Sequence, residues 1–161
     1  MSEAKIRLIE KADNPAMAEV IREVMPQFGA CGPGFSIEDA EVDHMYEAYQ
    51  GDRAAYWVIE IDGQIHGGAG IAQLQGGDED TCELKKMYFR ESVRGLGLGK
   101  KLMDLCLEKA KEVGYKKIYL ETLERMTAAG ALYEKYGFKK LQGNMGNTGH
   151  SKCDAYYVKD I

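Results

Sequence analysis

The chain has 161 residues, 45% of them hydrophobic, which suits one domain long enough to bury a proper core. Its 21 Lys and Arg stand against 26 Asp and Glu for a net charge of −5, which argues against nucleic acid as a partner, because phosphate affinity rests on basic surface. No apolar run nears the roughly 20 residues that span a bilayer, and the start Met-Ser-Glu-Ala-Lys lacks the apolar segment of a secretory leader, so a cytoplasmic protein without a membrane partner is expected.

In chain order, Ile6 and Leu8 alternate with Lys5, Arg7 and Ile9, which suits a first strand over Lys5 to Glu10. Asp13-Asn14-Pro15 is a helix-start signal, with a capping side chain followed by a proline where its missing N–H costs nothing. A first helix is expected from Pro15 to Phe28, burying Met17, Val20, Ile21 and Val24. Gly29 to Phe35, with three glycines and a proline, is read as irregular. Ser36 then caps a second helix that ends at Gly51, with Asp39 in a shortened capping box and Val42, Met45, Tyr46 and Tyr49 as its buried stripe.

Ala55 to Ile61 and Gln64 to Leu74 read as two strands joined by Asp62-Gly63, a favoured type I′ hairpin turn. Gly67, Gly68 and Gly70 in the second of them point to a bulge or a close backbone approach. After an acidic turn, Cys82 to Phe89 forms a further strand. Strict alternation puts Glu83, Lys85, Met87 and Phe89 on one face and Leu84, Lys86 and Tyr88 on the other. A helix follows, with Leu102, Leu105, Cys106, Ala110 and Val113 at the spacing of one buried face. A strand over Lys117 to Thr122, a helix over Met126 to Tyr136, and strands over Phe138 to Leu141 and Ala155 to Lys159 complete the pattern. Antiparallel pairs followed by helical crossovers imply a mixed sheet flanked by helices. Cys31, Cys82, Cys106 and Cys153 are scattered without a C-x-x-C pair, so they read as free thiols and no metal is expected.

Chemistry concentrates in Arg94-Gly95-Leu96-Gly97-Leu98-Gly99-Lys100, between a strand and a helix. Glycines there permit positive φ and close approach of a ligand, and the first N–H groups of a helix lack intrahelical acceptors. The expected ligand is an anion, most simply a pyrophosphate, with Arg94 and Lys100 adding positive charge. A P-loop is excluded, because Arg94 and Lys101 occupy places that require glycine and a hydroxyl. The spacing G-x-G-x-x-G also fails, since its last glycine falls on Lys100 or Leu102.

What remains is R-x-x-G-x-G, met by Arg94, Gly97 and Gly99, and downstream L-Y-x-x-x-G-F, met by Leu132, Tyr133, Gly137 and Phe138. In these two segments the chain resembles the GNAT superfamily of acyl-coenzyme A-dependent N-acyltransferases. The resemblance implies an α/β (α+β) fold, with a mixed, mostly antiparallel central sheet of six to seven strands flanked by about four helices, in a single domain.

It also implies an N-acetyltransferase that moves an acetyl group from acetyl-coenzyme A to a primary amine by direct attack in a ternary complex, without a metal. The backbone at Met87, Tyr88 and Phe89 would hold the thioester and pantetheine arm, and Arg94 through Lys100 the pyrophosphate. Tyr133 aligns with the general acid toward the departing sulfur, and Tyr136 is its weaker substitute. Glu83 stands where some relatives carry a base; Glu121 and a water relay are the alternatives. Where relatives often place an asparagine on the cofactor arm this chain has Met126, with Thr127 beside it as a possible hydroxyl donor. Phe35, Tyr46, Glu121 and His150 are the candidates for acceptor contact. A small-molecule amine is the favoured acceptor, and a homodimer is among the expected states. The competing reading is a non-catalytic acyl-coenzyme A sensor or assembly module.

Overall fold

The computed structural model describes residues 3–29, 32 and 34–161, with the backbone alone for Ser36. Part of the Gly29 to Phe35 loop and the cap expected of the Ser36 side chain therefore lie outside the described residues. Seven strands form one sheet, ordered β1-β2-β3-β4-β5-β7-β6. They are β1 Lys5–Leu8, β2 Ala55–Ile61, β3 Gln64–Gln73, β4 Thr81–Phe89, β5 Lys117–Thr122, β6 Lys139–Leu141 and β7 Ala155–Asp160. Among the described residues only β4 and β5 pair in parallel. Helices α1 Asn14–Gln27, α2 Met45–Ala48, α3 Leu98–Glu112 and α4 Thr127–Lys135 pack around the sheet. The expected mixed, mostly antiparallel sheet with about four helices is thus observed. Among the described residues no helix is long and apolar enough to cross a membrane.

Two apolar clusters sandwich the sheet. One gathers Leu102, Met103, Cys106 and Ala110 of α3 against Ile71, Leu84, Ile118 and Leu120; the other gathers Met17, Val20, Ile21 and Val24 of α1 against Val58, Met45 and Tyr56. The helical spacings read from the sequence account for both, and each fully buried Leu or Ile adds about 1.5–3 kcal/mol relative to exposure. Asp62 and Gly63 take φ of 52° and 77°, as the type I′ turn requires.

Three local expectations are corrected. β1 stops at Leu8, and that side chain is exposed; the chain turns away there, although Ile9 still donates its N–H to the Tyr56 carbonyl at 2.9 Å. The second helix is broken into short turns, Ser36–Glu38 and Ala40–Asp43, followed by α2. Asp39 is extended, with ψ of 138°, and His44 leaves the helical region, while Asp39 and Glu41 reach across to Lys86 and Lys85 on β4. Val42, Met45 and Tyr49 remain buried all the same, because turns bury an apolar spacing as well as a helix does. The third correction concerns β4.

Alternation along β4 fails at Lys86. Gly68 pairs with Tyr88 but Gly70 with Lys85, so two residues of β4, Lys86 and Met87, oppose the single Ala69. This is a β-bulge, with Lys86 at φ 50°. Lys85 and Lys86 consequently face the same acidic segment, whereas Leu84, Met87 and Phe89 pack on the α3 side and Tyr88 on the α1 side. The buried Tyr56 hydroxyl donates to the Lys86 carbonyl at 2.6 Å and pins the bulge.

The glycines of β3 make room for this arrangement. A Cβ on Gly70 would lie 2.4 Å from the Ala55 carbonyl oxygen and 2.5 Å from the Tyr56 ring, and a backbone oxygen in a paired strand has nowhere to go. Gly70→Ala is expected to destabilise the fold by about 1–3 kcal/mol, as overpacking does, read as a lower urea midpoint with an unchanged slope.

Candidate active site

The site begins where the sheet comes apart. Parallel pairing of β4 with β5 covers only Thr81 to Glu83 against Lys117 to Tyr119, and the bulge then turns the rest of β4 away. Beyond Glu83, β4 keeps its pairing with β3, but its other edge faces a cleft instead of β5.

On one side of the cleft a groove of about 420 Å³ runs between the glycine loop and the start of α4. It is lined by Met87, Phe89, Arg94, Gly95, Gly97 and Gly99, and by Arg125, Met126, Thr127, Leu132 and Tyr133 across the way. Gly95 and Gly97 have φ of 79° and 77°, and a Cβ at either would meet nothing; these glycines serve conformation, not packing. Gly99 has no such φ and sits in the first turn of α3. Gly97 is the N-cap, and no side chain caps the helix, so the leading N–H groups are left for a ligand.

Leu98 anchors the helix in the core, whereas Leu96 and Lys100 are exposed. Arg94 Nε donates to the Phe89 carbonyl at 3.0 Å, Nη2 donates to Gln27 at 3.1 Å, and the guanidinium lies over Phe28. Arg125, which the sequence reading did not single out, places a second cation on the same groove.

Tyr133 lines both this groove and the smaller cavity on the far side of β4, as do Met87 and Met126. Its ring is buried against Phe138 and Tyr157, and burial raises its hydroxyl well above the ordinary tyrosine value. Tyr136 is elsewhere: its hydroxyl donates to Asp104 on α3 at 2.7 Å.

Beyond Tyr133 the cavity is lined by Phe35, Glu83, Glu121, His150 and Cys153. It adjoins a pocket of about 290 Å³ formed by Asp39, Glu41, Gln73, Gln75, Glu83, Lys85, Thr148 and His150. Tyr46 is not there. It packs against the α1 cluster and its backbone N–H donates to Asn14, because α2 folds back over the start of α1, so the structure does not bring Tyr46 together with the other acceptor candidates.

The ionisable groups on this side are heavily paired. Lys86, 1% exposed, is 2.6 Å from Asp39 and 3.7 Å from Glu41, and Lys85 is 2.8 Å from Glu41. His150 Nε2 lies 2.8 and 3.0 Å from the two Asp39 oxygens, and Nδ1 is 3.3 Å from Glu121. Burial opposes the imidazolium, but the hydrogen bonds with Asp39 and Glu121 outweigh it and raise His150 to about 9. Burial likewise opposes charge on Glu121, yet His150, Thr148 and Tyr119 hold it below the usual carboxylate range. Its Oε2 accepts the Tyr119 hydroxyl at 2.6 Å and its Oε1 accepts from Thr148.

Glu83 differs from all of these. It is 6% exposed, and, although its backbone pairs with β3 and β5, no hydrogen bond or ion pair links its carboxylate to another described residue. Burial, with a smaller contribution from the Glu121 charge, lifts it to about 7 against the lowering effects of Lys85, His150 and Lys86.

A split sheet with a helix N-terminus on one side and a titratable carboxylate on the other defines an acyl-transfer scaffold, and comparison with known proteins agrees. The sequence profile of the acetyltransferase (GNAT) family matches residues 17–138. The chain belongs to that family and is an enzyme of the acyltransferase class. It is 41% identical over 157 residues to the uncharacterized N-acetyltransferase YjgM of Escherichia coli K12, covering 97% of this chain and 94% of that one. Among solved structures, a GNAT-family acetyltransferase of Staphylococcus aureus Mu50 superposes with a TM-score of 0.84 at 20% identity, over 98% and 99% of the two chains. The yncA protein of Salmonella typhimurium, described with its cofactor acetyl-CoA, gives 0.75 at 20% identity, over 99% and 94%; both show the shared fold.

Proposed function

We propose that this single domain transfers an acetyl group from acetyl-coenzyme A to a small primary amine by direct attack in a ternary complex. The reading is carried by Tyr133, whose side chain lines both the glycine-loop groove and the cavity that holds Glu83. A thioester lying along β4 would present its sulfur beside that hydroxyl and its carbonyl toward the amine. The yncA likeness, a protein described with acetyl-CoA, and the name of the Escherichia coli relative support the cosubstrate and the reaction.

Charge supports an amine. The acceptor side carries the carboxylates of Asp39, Glu41, Glu83 and Glu121 against the cations Lys85, Lys86 and His150. Four against three leaves one uncompensated carboxylate, and Glu83 is the one without a partner. A cationic ammonium is what it would attract. The modest pocket volume suits a small molecule.

The proton ledger then closes and draws on no metal. Glu83 takes a proton from the ammonium, directly or through a water, and frees the nitrogen lone pair for attack on the thioester carbonyl. Backbone N–H groups at Met87 to Phe89, in the stretch of β4 that β5 does not cover, stabilise the oxyanion. Tyr133 gives its proton to the thiolate as the carbon–sulfur bond breaks, the second proton of the ammonium leaves the nitrogen of the tetrahedral intermediate through water and restores the Tyr133 hydroxyl, and Glu83 returns its own proton to solvent. In water this transfer runs uphill from about 10 to about 8.5, and burial of Tyr133 alone would steepen it. The departing thiolate is buried in the same place, which raises its basicity too. His150, held as imidazolium, and Glu121, saturated with donors, make poorer bases than Glu83, and Tyr136 is too far removed to replace Tyr133.

The groove fits the cosubstrate by its exposed helix N-terminus and two cations, Arg94 and Arg125. Calorimetric titration with acetyl-coenzyme A is expected to show binding that is lost with acetyl-pantetheine, which lacks the pyrophosphate. Equal binding of the two, or of neither, would remove the glycine loop from the reading. The alternative of a non-catalytic sensor predicts binding without thiol release for any amine in a panel; a titratable Glu83 in the cavity that Tyr133 also lines favours turnover.

A further inference from the structure

We propose that Glu121, His150 and Cys153 form a binding site for a zinc-class divalent ion on the acceptor side of the cleft, and that the bound ion blocks acetyl transfer. The blocking step rests on the acceptor-side reading above; the binding step does not.

One carboxylate oxygen, one imidazole nitrogen and one thiol sulfur from these residues lie within 4.8 Å of one another. Tetrahedral zinc, with bonds of about 2.0–2.3 Å, sets its ligand atoms roughly 3.3–3.8 Å apart. His150 Nδ1 and Glu121 already stand 3.3 Å apart, so the adjustment needed is about an ångström or less. The ligands are held by backbone structure. Glu121 is on β5 opposite Tyr156 of β7. His150 and Cys153 are three residues apart in a turn closed by the Cys153 N–H donating to the His150 carbonyl at 3.2 Å, and the next residue, Asp154, donates its N–H to Thr122 on β5.

The surrounding contacts are those a metal-bound histidine and carboxylate need. His150 Nε2 faces the Asp39 carboxylate at 2.8 Å, which fixes that nitrogen as the donor and leaves Nδ1 for the ion. Glu121 Oε2 accepts from Tyr119, and Oε1, which also accepts from Thr148, lies on the side of His150 and would exchange that hydroxyl contact for the ion. Such outer partners orient the ligand atoms and raise their basicity. A mixed N, O and S set selects zinc and its neighbours over magnesium or calcium. On binding, the Cys153 thiol and the His150 imidazolium would each release a proton to solvent, and all three ligands line the cavity that Glu83 and Tyr133 also line. An ion there occupies the path of the amine and leaves the glycine-loop groove clear.

Cobalt(II) is the probe, added to chelator-treated protein. One equivalent is expected to bring up a thiolate-to-cobalt charge-transfer band in the near ultraviolet with visible bands of tetrahedral intensity, and zinc should bleach both. Cys153→Ser should lose the near-ultraviolet band, and Asp39→Asn should keep it with affinity lowered about 10–100-fold. Absence of the band in the native protein, or its survival in Cys153→Ser, overturns the site. Should that variant misfold, His150→Gln, which must weaken cobalt binding, carries the same decision. In turnover assays zinc should compete with the amine and not with acetyl-coenzyme A, and Cys153→Ser should escape it. Cobalt binding without zinc inhibition would overturn the blocking step, and the spectra decide the site even in the absence of any turnover.

Discussion

Tyr133→Phe is expected to lower turnover by about 10²–10⁴, the range a positioned acid contributes, while acetyl-coenzyme A still binds with its native affinity. The substitution removes one oxygen and leaves the ring against Phe138 and Tyr157, 5.9 and 5.6 Å away between centroids. No hydrogen bond from this hydroxyl to a described residue is lost, so stability should hardly move. Pre-steady-state thiol release measured alongside calorimetric binding separates the two effects. Turnover within a few-fold of the native rate would remove Tyr133 as the acid and leave the thiolate to depart unassisted. Tyr136→Phe is the internal control, since that hydroxyl is committed to Asp104 on α3.

Glu83→Gln should produce a loss of similar size in kcat/KM and, at the same time, a gain in stability at alkaline pH. A base must be ionised to act, and with Glu83 raised to about 7 the native rate should fall about tenfold per pH unit below that value and level off above it. The glutamine variant should lose this limb. The sign for stability follows from the same shift. The folded state holds the Glu83 proton more tightly than the unfolded chain does, so its contribution is fully present below about 4.5 and is lost as pH rises through about 7.

A rise of about 2.5 pKa units corresponds to roughly 3 kcal/mol. Glutamine cannot lose a proton, so the stability difference between variant and native protein should move by that order in favour of the variant between pH 4 and pH 9. Denaturant unfolding across that range measures it. A variant that is both slower and more stable is the signature of a group kept for chemistry. A variant that is slower but no more stable would mean that Glu83 has a partner in solution and is not the isolated base.

The sequence and the structure agree most closely where the physics is local. The Asp62-Gly63 turn, the bounds of β5, the buried faces of α1 and α3 and the conformation of Gly95 and Gly97 all follow from residues a few positions apart. The alternation on β4 failed because a bulge inserts its extra residue through contacts with β3 and with Tyr56, whose hydroxyl donates to the Lys86 carbonyl from thirty positions away. The second helix failed because Asp39 gains more from Lys86 and His150 than from capping. Apolar spacing shows that a stretch is buried on one side, not that its hydrogen bonds run from turn to turn.

The candidate site divides along the same line. Motif and spacing alone were enough to select Tyr133, Glu83 and the glycine loop, because each sits at a fixed offset within one strand, loop or helix start. The sequence ranks Glu83 ahead of Glu121 by position alone; it carries nothing of their protonation, nor of His150 as a cation. Those properties arise when chain segments up to 111 residues apart converge, burying one carboxylate without a partner and surrounding another with donors. The cluster of Glu121, His150 and Cys153 is of the same kind. Scattered cysteines carry no metal signature along the chain, and only the β5 to β7 pairing and the turn before β7 bring a thiol, an imidazole and a carboxylate to one place. Local sequence determined the elements and the conformation of the glycine loop; desolvation and long-range charge pairing, which only the tertiary structure supplies, decided which groups hold protons at neutral pH.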